Sequence, residues 1–133
     1  MAKRLRWRSQ PTRGDYAAAD AYLSLLLPEA EARKVVARLQ RATTTRHKPK
    51  DIERASAIQL LPEDDPEVQI EVKKSRKGKA LAPILLVRGA LGEGRSLVIA
   101  DGYHRICASY YVNQDAEIPC RVADPPLAQI RAT

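Results

Sequence analysis

Five consecutive residues, Asp101-Gly102-Tyr103-His104-Arg105, place a carboxylate, an imidazole and a guanidinium around one glycine. The aliphatic residues 97–100 before them read as a buried strand, and the residues after them read as a short helix beginning on His104 and Arg105. A strand that turns through glycine straight into a helix aims the free N–H groups of the helix's first turn at one point. The positive end of the helix dipole lies there too, which suits an anion such as a phosphate. Gly102 lets the backbone approach that anion or adopt a positive φ. Arg105 can grip two phosphate oxygens with parallel hydrogen bonds, and His104 can donate whether neutral or charged. Tyr103 can stack over a base or cover the core.

Asp101 is the instructive member. A carboxylate that caps the helix would use the N–H groups a phosphate wants, and its charge would repel the ligand. The conflict disappears if Asp101 turns instead to a substrate hydroxyl as a base, or to a Mg²⁺ ion bridging the phosphates. Asp101 and His104 are therefore the candidate catalytic pair, and Gly102, Tyr103, His104 and Arg105 the candidate phosphate or nucleotide contacts. The ordinary alternative, an Asp N-cap contributing about 1 kcal/mol, stays open. Glu63, Asp64 and Asp65 are possible acidic partners if their loop folds toward the turn, although helix capping explains such a cluster equally well.

The elements that must position this turn can be read along the chain. Residues 15–27 carry an apolar stripe through Tyr16, Ala19 and Leu23, with Asp15 expected as N-cap. Pro28 separates it from a second amphipathic helix with Ala32, Val35, Val36 and Leu39 on one face. Together they predict a helical hairpin over residues 15–50, the last nine of which form a polar loop. A short helix over 51–57 follows. Asp65-Pro66 then fits an N-cap and first helical position, with a helix to about Lys77, although Val68, Ile70 and Val72 alternate as a strand would. Residues 83–88, 96–100 and 117–122 read as strands. The expected fold is α/β of the α+β kind, a small mixed sheet with helices, in which residues 51–133 form one compact unit with the hairpin.

Composition sets further bounds. The chain has 133 residues, 44% hydrophobic, with no Phe and 5% aromatics, so its core must be aliphatic. No apolar run approaches membrane-spanning length and no signal-peptide core follows the basic start, which leads us to expect a cytoplasmic protein with no membrane partner. Cys107 and Cys120 lie in apolar surroundings without metal-ligand spacing and read as buried free thiols. The net charge of +7 is uneven: residues 1–50 hold 12 Lys and Arg against 4 Asp and Glu, residues 51–133 hold 11 against 12. Residues 1–14 look like a basic flexible arm. Arg4, Arg6 and Arg8 on that arm, with Arg33, Lys34 and Arg38 on the second helix, are candidate nucleic-acid contacts. A solvated helix face with a frayed basic start explains the same charges.

From about residue 68 to residue 122 the order of elements resembles the ParB/sulfiredoxin-like superfamily, on the segments LAPILLVRG, LVIADGYHRICAS and EIPCRV. The resemblance implies a nucleotide-phosphate signature at the turn before the helix, matched here by Gly102, Tyr103, His104 and Arg105. Tyr103 stands where sulfiredoxins carry their catalytic cysteine, and with Thr133 soon after the last strand we expect neither the helix-turn-helix domain nor the dimerisation domain of the chromosome-partitioning branch. The DGYHR run looks closest to the Asp-Gly-His-His-Arg motif of small-molecule kinases and presumed nucleases on this fold, with Tyr103 in place of the first His. That branch implies Asp101 as an active-site residue, ATP or CTP as the bound nucleotide, and Mg²⁺ as the accompanying ion. The expected function is thus nucleotide or phosphate binding, with phosphoryl transfer or nucleotide hydrolysis as the reaction. A non-catalytic nucleic-acid-binding module is the rival.

Overall fold

The structure, a computed structural model, describes residues 5–126. Among these residues five α-helices pack on one four-stranded mixed sheet: α1 (Arg13–Leu23), α2 (Glu29–Arg41), β1 (Thr45–His47), α3 (Pro49–Ser56), α4 (Pro66–Arg76), β2 (Ile84–Val87), β3 (Val98–Asp101), α5 (Tyr103–Asn113) and β4 (Ile118–Ala123). The strands lie in the order β1-β4-β2-β3. β2 runs parallel to β4 and antiparallel to β3, and β1 closes the other side antiparallel to β4.

Period-2 alternation in the strands sorts their side chains onto two cores. Leu85, Val87, Ala100 and Ala123 face the α1–α2 hairpin and pack on Ala19, Leu23, Ala32, Val35 and Leu39. Ile84, Leu86, Ile118 and Cys120 face the opposite way, onto Ile52 of α3 and Ile106 of α5. β2 is covered on both sides, so all four of its residues are buried. α4 lies against α5 in a third cluster, where Val68 and Val72 meet Cys107 and Ala108. Val68 and Val72 are buried while Ile70 is exposed, which is helical spacing and settles the strand-like alternation in favour of a helix. Asp65 caps α4, its Oδ2 accepting from the N–H groups of Glu67 and Val68 at 3.0 and 3.2 Å, with Pro66 at the first position.

Several expectations are corrected. The N-cap of α1 is Thr12, and Asp15 is its partner in a reciprocal capping box: Thr12 Oγ1 accepts from Asp15 N–H at 3.1 Å and Asp15 Oδ2 from Thr12 N–H at 2.7 Å. The expected polar loop before residue 50 contains β1, a three-residue edge strand whose side chains are all exposed and therefore carry no apolar signal. The basic start docks where it is described: Arg8 N–H donates to Leu81 O at 2.6 Å, Leu81 N–H to Arg6 O at 2.8 Å, and Trp7 packs on the α3–α5 core. Ala108 of α5 is fully buried against α4. Both cysteines are free and buried, and burial pushes the Cys120 thiol up to about 12. Among the described residues no helix is long and apolar enough to cross a membrane.

Candidate functional site

The turn forms as β3 ends at Asp101 and α5 begins at Tyr103, with Gly102 between them as N-cap at φ +111° and ψ +19°. That conformation is costly for any residue with a Cβ. Space excludes one as well: a Cβ at position 102 would lie 2.7 Å from Ile84 Cδ1 and 3.2 Å from Arg105 Nη2. Glycine is therefore needed twice, for its backbone and for the room it leaves to a guanidinium passing beneath it.

That guanidinium does not reach for solvent. Arg105 is 8% exposed, and it is anchored on both sides. Nη1 donates to the carbonyls of Ala82 at 2.5 Å and Pro83 at 3.3 Å, and Nη2 to Asp101 Oδ2 at 2.6 Å and Asp15 Oδ1 at 3.4 Å. The expectation that Arg105 grips phosphate with two parallel bonds gives way to another role: it is a strut under the turn, joining α5 to the approach to β2, to the end of β3 and to α1. The physical reason is the helix's first turn. Position 104 faces outward and position 105 faces the sheet, where two backbone carbonyls and two carboxylates demand a cation.

Asp101 is neither a cap nor a free anion. Its carboxylate is drawn sideways to Arg105, and no side chain caps α5. Burial pushes Asp101 up to about 6; Arg105 opposes the rise and the neighbouring Asp15 carboxyl adds to it. A base in that range is half-deprotonated just below neutrality.

A cleft of about 930 Å³ opens in front of the turn. Asp101, Gly102, Tyr103 and His104 line it, as do Glu71 of α4, Ser56, Arg95 and Ser96. Glu71 Oε1 pairs with Lys74 at 3.6 Å, while its Oε2 is buried without a hydrogen-bond partner among the described residues. An acceptor in that state invites a donor or a cation. Tyr103 is committed elsewhere, its hydroxyl donating to Gln59 O at 2.5 Å while its ring leans on His104 with centroids 5.4 Å apart. Glu63, Asp64 and Asp65 do not line the cleft. Asp65 is spent on capping α4, so the acidic side chain that helix supplies is Glu71, two turns further on.

Sequence reasoning therefore missed Asp15, Glu71 and Arg95. Asp15 was legible as a helix-start residue, but its second carboxylate oxygen meets Arg105 only through packing of elements 90 positions apart. The candidate nucleic-acid contacts are placed as follows. Arg33 pairs with Glu29 at 3.9 Å and Lys34 with Glu31 at 3.3 Å on the exposed face of α2, and Arg38 donates to the carbonyls of Asp124 and Pro125. Arg6 and Arg8 sit in the docked segment beside Leu81, and Arg4 lies outside the described residues. Among the described residues no group of three or more His, Cys, Asp or Glu side chains is arranged to hold a metal ion. Comparison with protein-family models, curated proteins and solved structures finds no match, so the chemistry of the cleft is argued from its own residues.

Proposed function

We propose that the cleft binds the phosphate groups of a nucleotide, ATP or CTP, against the first turn of α5, and that Asp101 is the base for a phosphoryl transfer or hydrolysis there. The observation that carries this reading is the uncapped N-terminus of α5, which faces the cleft because Arg105 draws the adjacent carboxylate away from it. The N–H groups at the start of the helix are donors without intrahelical partners, and the helix dipole favours an anion at that end. His104 adds a side-chain donor, and Arg95 adds a cation to the lining. The resemblance of the DGYHR run to nucleotide-binding members of the ParB/sulfiredoxin-like superfamily points the same way.

The roles follow from position. Gly102 takes the left-handed backbone conformation that ends β3 and presents the first amides of α5 to the phosphates. Asp101, buried and raised toward neutrality, accepts a proton from an attacking hydroxyl or water. Arg105, which also donates to Asp15, holds that carboxylate in place. Mg²⁺, bound mainly through the nucleotide's own oxygens, would neutralise phosphate charge, with Asp101 and the unpartnered Glu71 Oε2 as the cleft's carboxylates toward it. A thermal-shift series with ATP and CTP, with and without Mg²⁺, tests the reading. At least one nucleotide raises the melting temperature of the wild type, and His104→Ala reduces the shift while leaving the unliganded melting temperature unchanged. Failure of every nucleotide to stabilise the protein refutes it.

A further inference from the structure

Two basic runs of the sequence, residues 6–8 and residues 73–79, take no part in the cleft. The fold lays them side by side. Arg6 N–H donates to Ser75 Oγ in the last turn of α4 at 2.8 Å, across 69 positions of sequence. A Cβ at Gly78 would lie 3.6 Å from Arg6 Nη1, so the guanidinium rests against the end of that helix. Backbone bonds alone finish the helix there: Gly78 takes φ +84°, its N–H donates to Ser75 O, and Lys79 N–H donates to Lys74 O, both at 3.0 Å. The cations at this end are therefore not needed as caps.

Beyond the turn, Leu81 meets Trp7 in a parallel bridge. Alternate side chains of an extended segment face opposite ways. Trp7 packs into the α3–α5 core, which turns Arg6 and Arg8 outward, and both are exposed. Lys73, Arg76, Lys77 and Lys79 are exposed as well. Lys74 pairs with Glu71 at 3.6 Å, but among the described residues none of the other six cations pairs with a carboxylate. The basic face of α2 differs, because Arg33 and Lys34 there are held by Glu29 and Glu31. Like charges gathered without counter-charges repel one another, a cost that a bound polyanion relieves.

We infer that Arg6, Arg8, Lys73, Arg76, Lys77 and Lys79 form one surface that holds the phosphodiester backbone of duplex DNA without reading its sequence. Duplex DNA presents about one negative charge per 1.7 Å of its axis, a line of charge that can engage all six cations where one small anion cannot. Trp7 decides against a single strand, since the ring that would stack on bases is committed to the core. The apolar residues Val68 and Val72 of α4 are spent on α5, which leaves a single exposed Ile70 where a lipid surface requires an apolar face. None of the six cations lines the cleft, so the inference stands apart from the nucleotide reading.

The test is fluorescence anisotropy of the full chain with two short fluorescein-labelled duplexes of unrelated sequence, across a salt series. Both duplexes bind alike, and affinity falls steeply with salt. Arg76→Gln combined with Lys77→Gln and Lys79→Gln reduces the slope of log affinity against log salt by about 3, and Arg6→Gln combined with Arg8→Gln reduces it by about 2. Melting temperatures and nucleotide-induced thermal shifts stay unchanged, because these side chains are exposed and lie outside the cleft. Arg33→Gln combined with Lys34→Gln leaves the slope as it is. No binding to either duplex at low salt, an effect of one basic segment without the other, an equal effect of the α2 variant, or tighter binding to a single strand of the same length overturns the inference. Binding to vesicles of anionic lipid with none to the duplexes overturns it too.

Discussion

Replacing Arg105 by Met separates a buried strut from a phosphate-gripping side chain. Met keeps the length and apolar stem and removes the cation. Four contacts go with it: those to the carbonyls of Ala82 and Pro83 and those to the carboxylates of Asp101 and Asp15. The side chains of the three charged partners are 10%, 19% and 16% exposed, for Arg105, Asp101 and Asp15, so solvent replaces little of what is lost. Removing one partner of a buried ion pair costs about 3–5 kcal/mol, because the remaining charge is left without compensation. Against a total stability on the order of 5–15 kcal/mol, the variant folds but is marginal. Urea denaturation followed by circular dichroism near neutral pH measures the loss. Adding Asp101→Asn restores part of it, because the uncompensated carboxylate disappears, and the double-mutant cycle returns a coupling energy on the order of 1–3 kcal/mol. A Met variant within about 0.5 kcal/mol of wild type would refute the reasoning. It would mean that the guanidinium stands in solvent, available to a ligand.

Three further outcomes follow from the same geometry. Gly102→Ala forces a Cβ into a left-handed backbone and against Ile84, and it lowers stability by about 1–3 kcal/mol, read as a fall in melting temperature. Asp101 holds its proton more tightly in the folded protein, at about 6 against an ordinary 3.8, so its contribution to stability is full below the ordinary value and is lost as pH rises through about 6. Asp101→Asn therefore flattens the dependence of the urea midpoint on pH across that window, and an unaltered slope would show that another group titrates there. Asp65→Ala removes the cap of α4 and costs about 1 kcal/mol without changing nucleotide-induced thermal shifts, which separates this carboxylate from the cleft.

The fold was legible in this sequence wherever burial imposes a period. The aliphatic β2 and β3, the α1–α2 stripes and the Asp65-Pro66 start of α4 were all readable, because each depends on a few neighbouring residues. β1 was not, because an exposed three-residue edge strand is held by main-chain pairing with β4 and leaves no apolar trace. The turn itself was legible down to its glycine. The direction of Arg105 was not, since it is set by carbonyls 22 and 23 positions away and by a carboxylate on α1. Local spacing placed His104 and Arg105 side by side in one helical turn. Packing turns them apart: His104 lines the cleft, while the Arg105 guanidinium runs beneath the turn to the carbonyls of Ala82 and Pro83 and to two carboxylates. Glu71 was hidden for a related reason: only the docking of α4 on α5 brings a mid-helix Glu to the cleft.

The central claim is that nucleotide phosphates rest on the amides opening α5. A ¹⁵N–¹H correlation titration of the wild-type chain with ATP and CTP in the presence of Mg²⁺ tests it most directly. The account predicts saturable shifts concentrated on the backbone amides of Tyr103, His104 and Arg105, with smaller movements along residues 95–101. Spectra that do not change, or shifts centred on the basic N-terminal segment with the 102–105 amides unmoved, would contradict it.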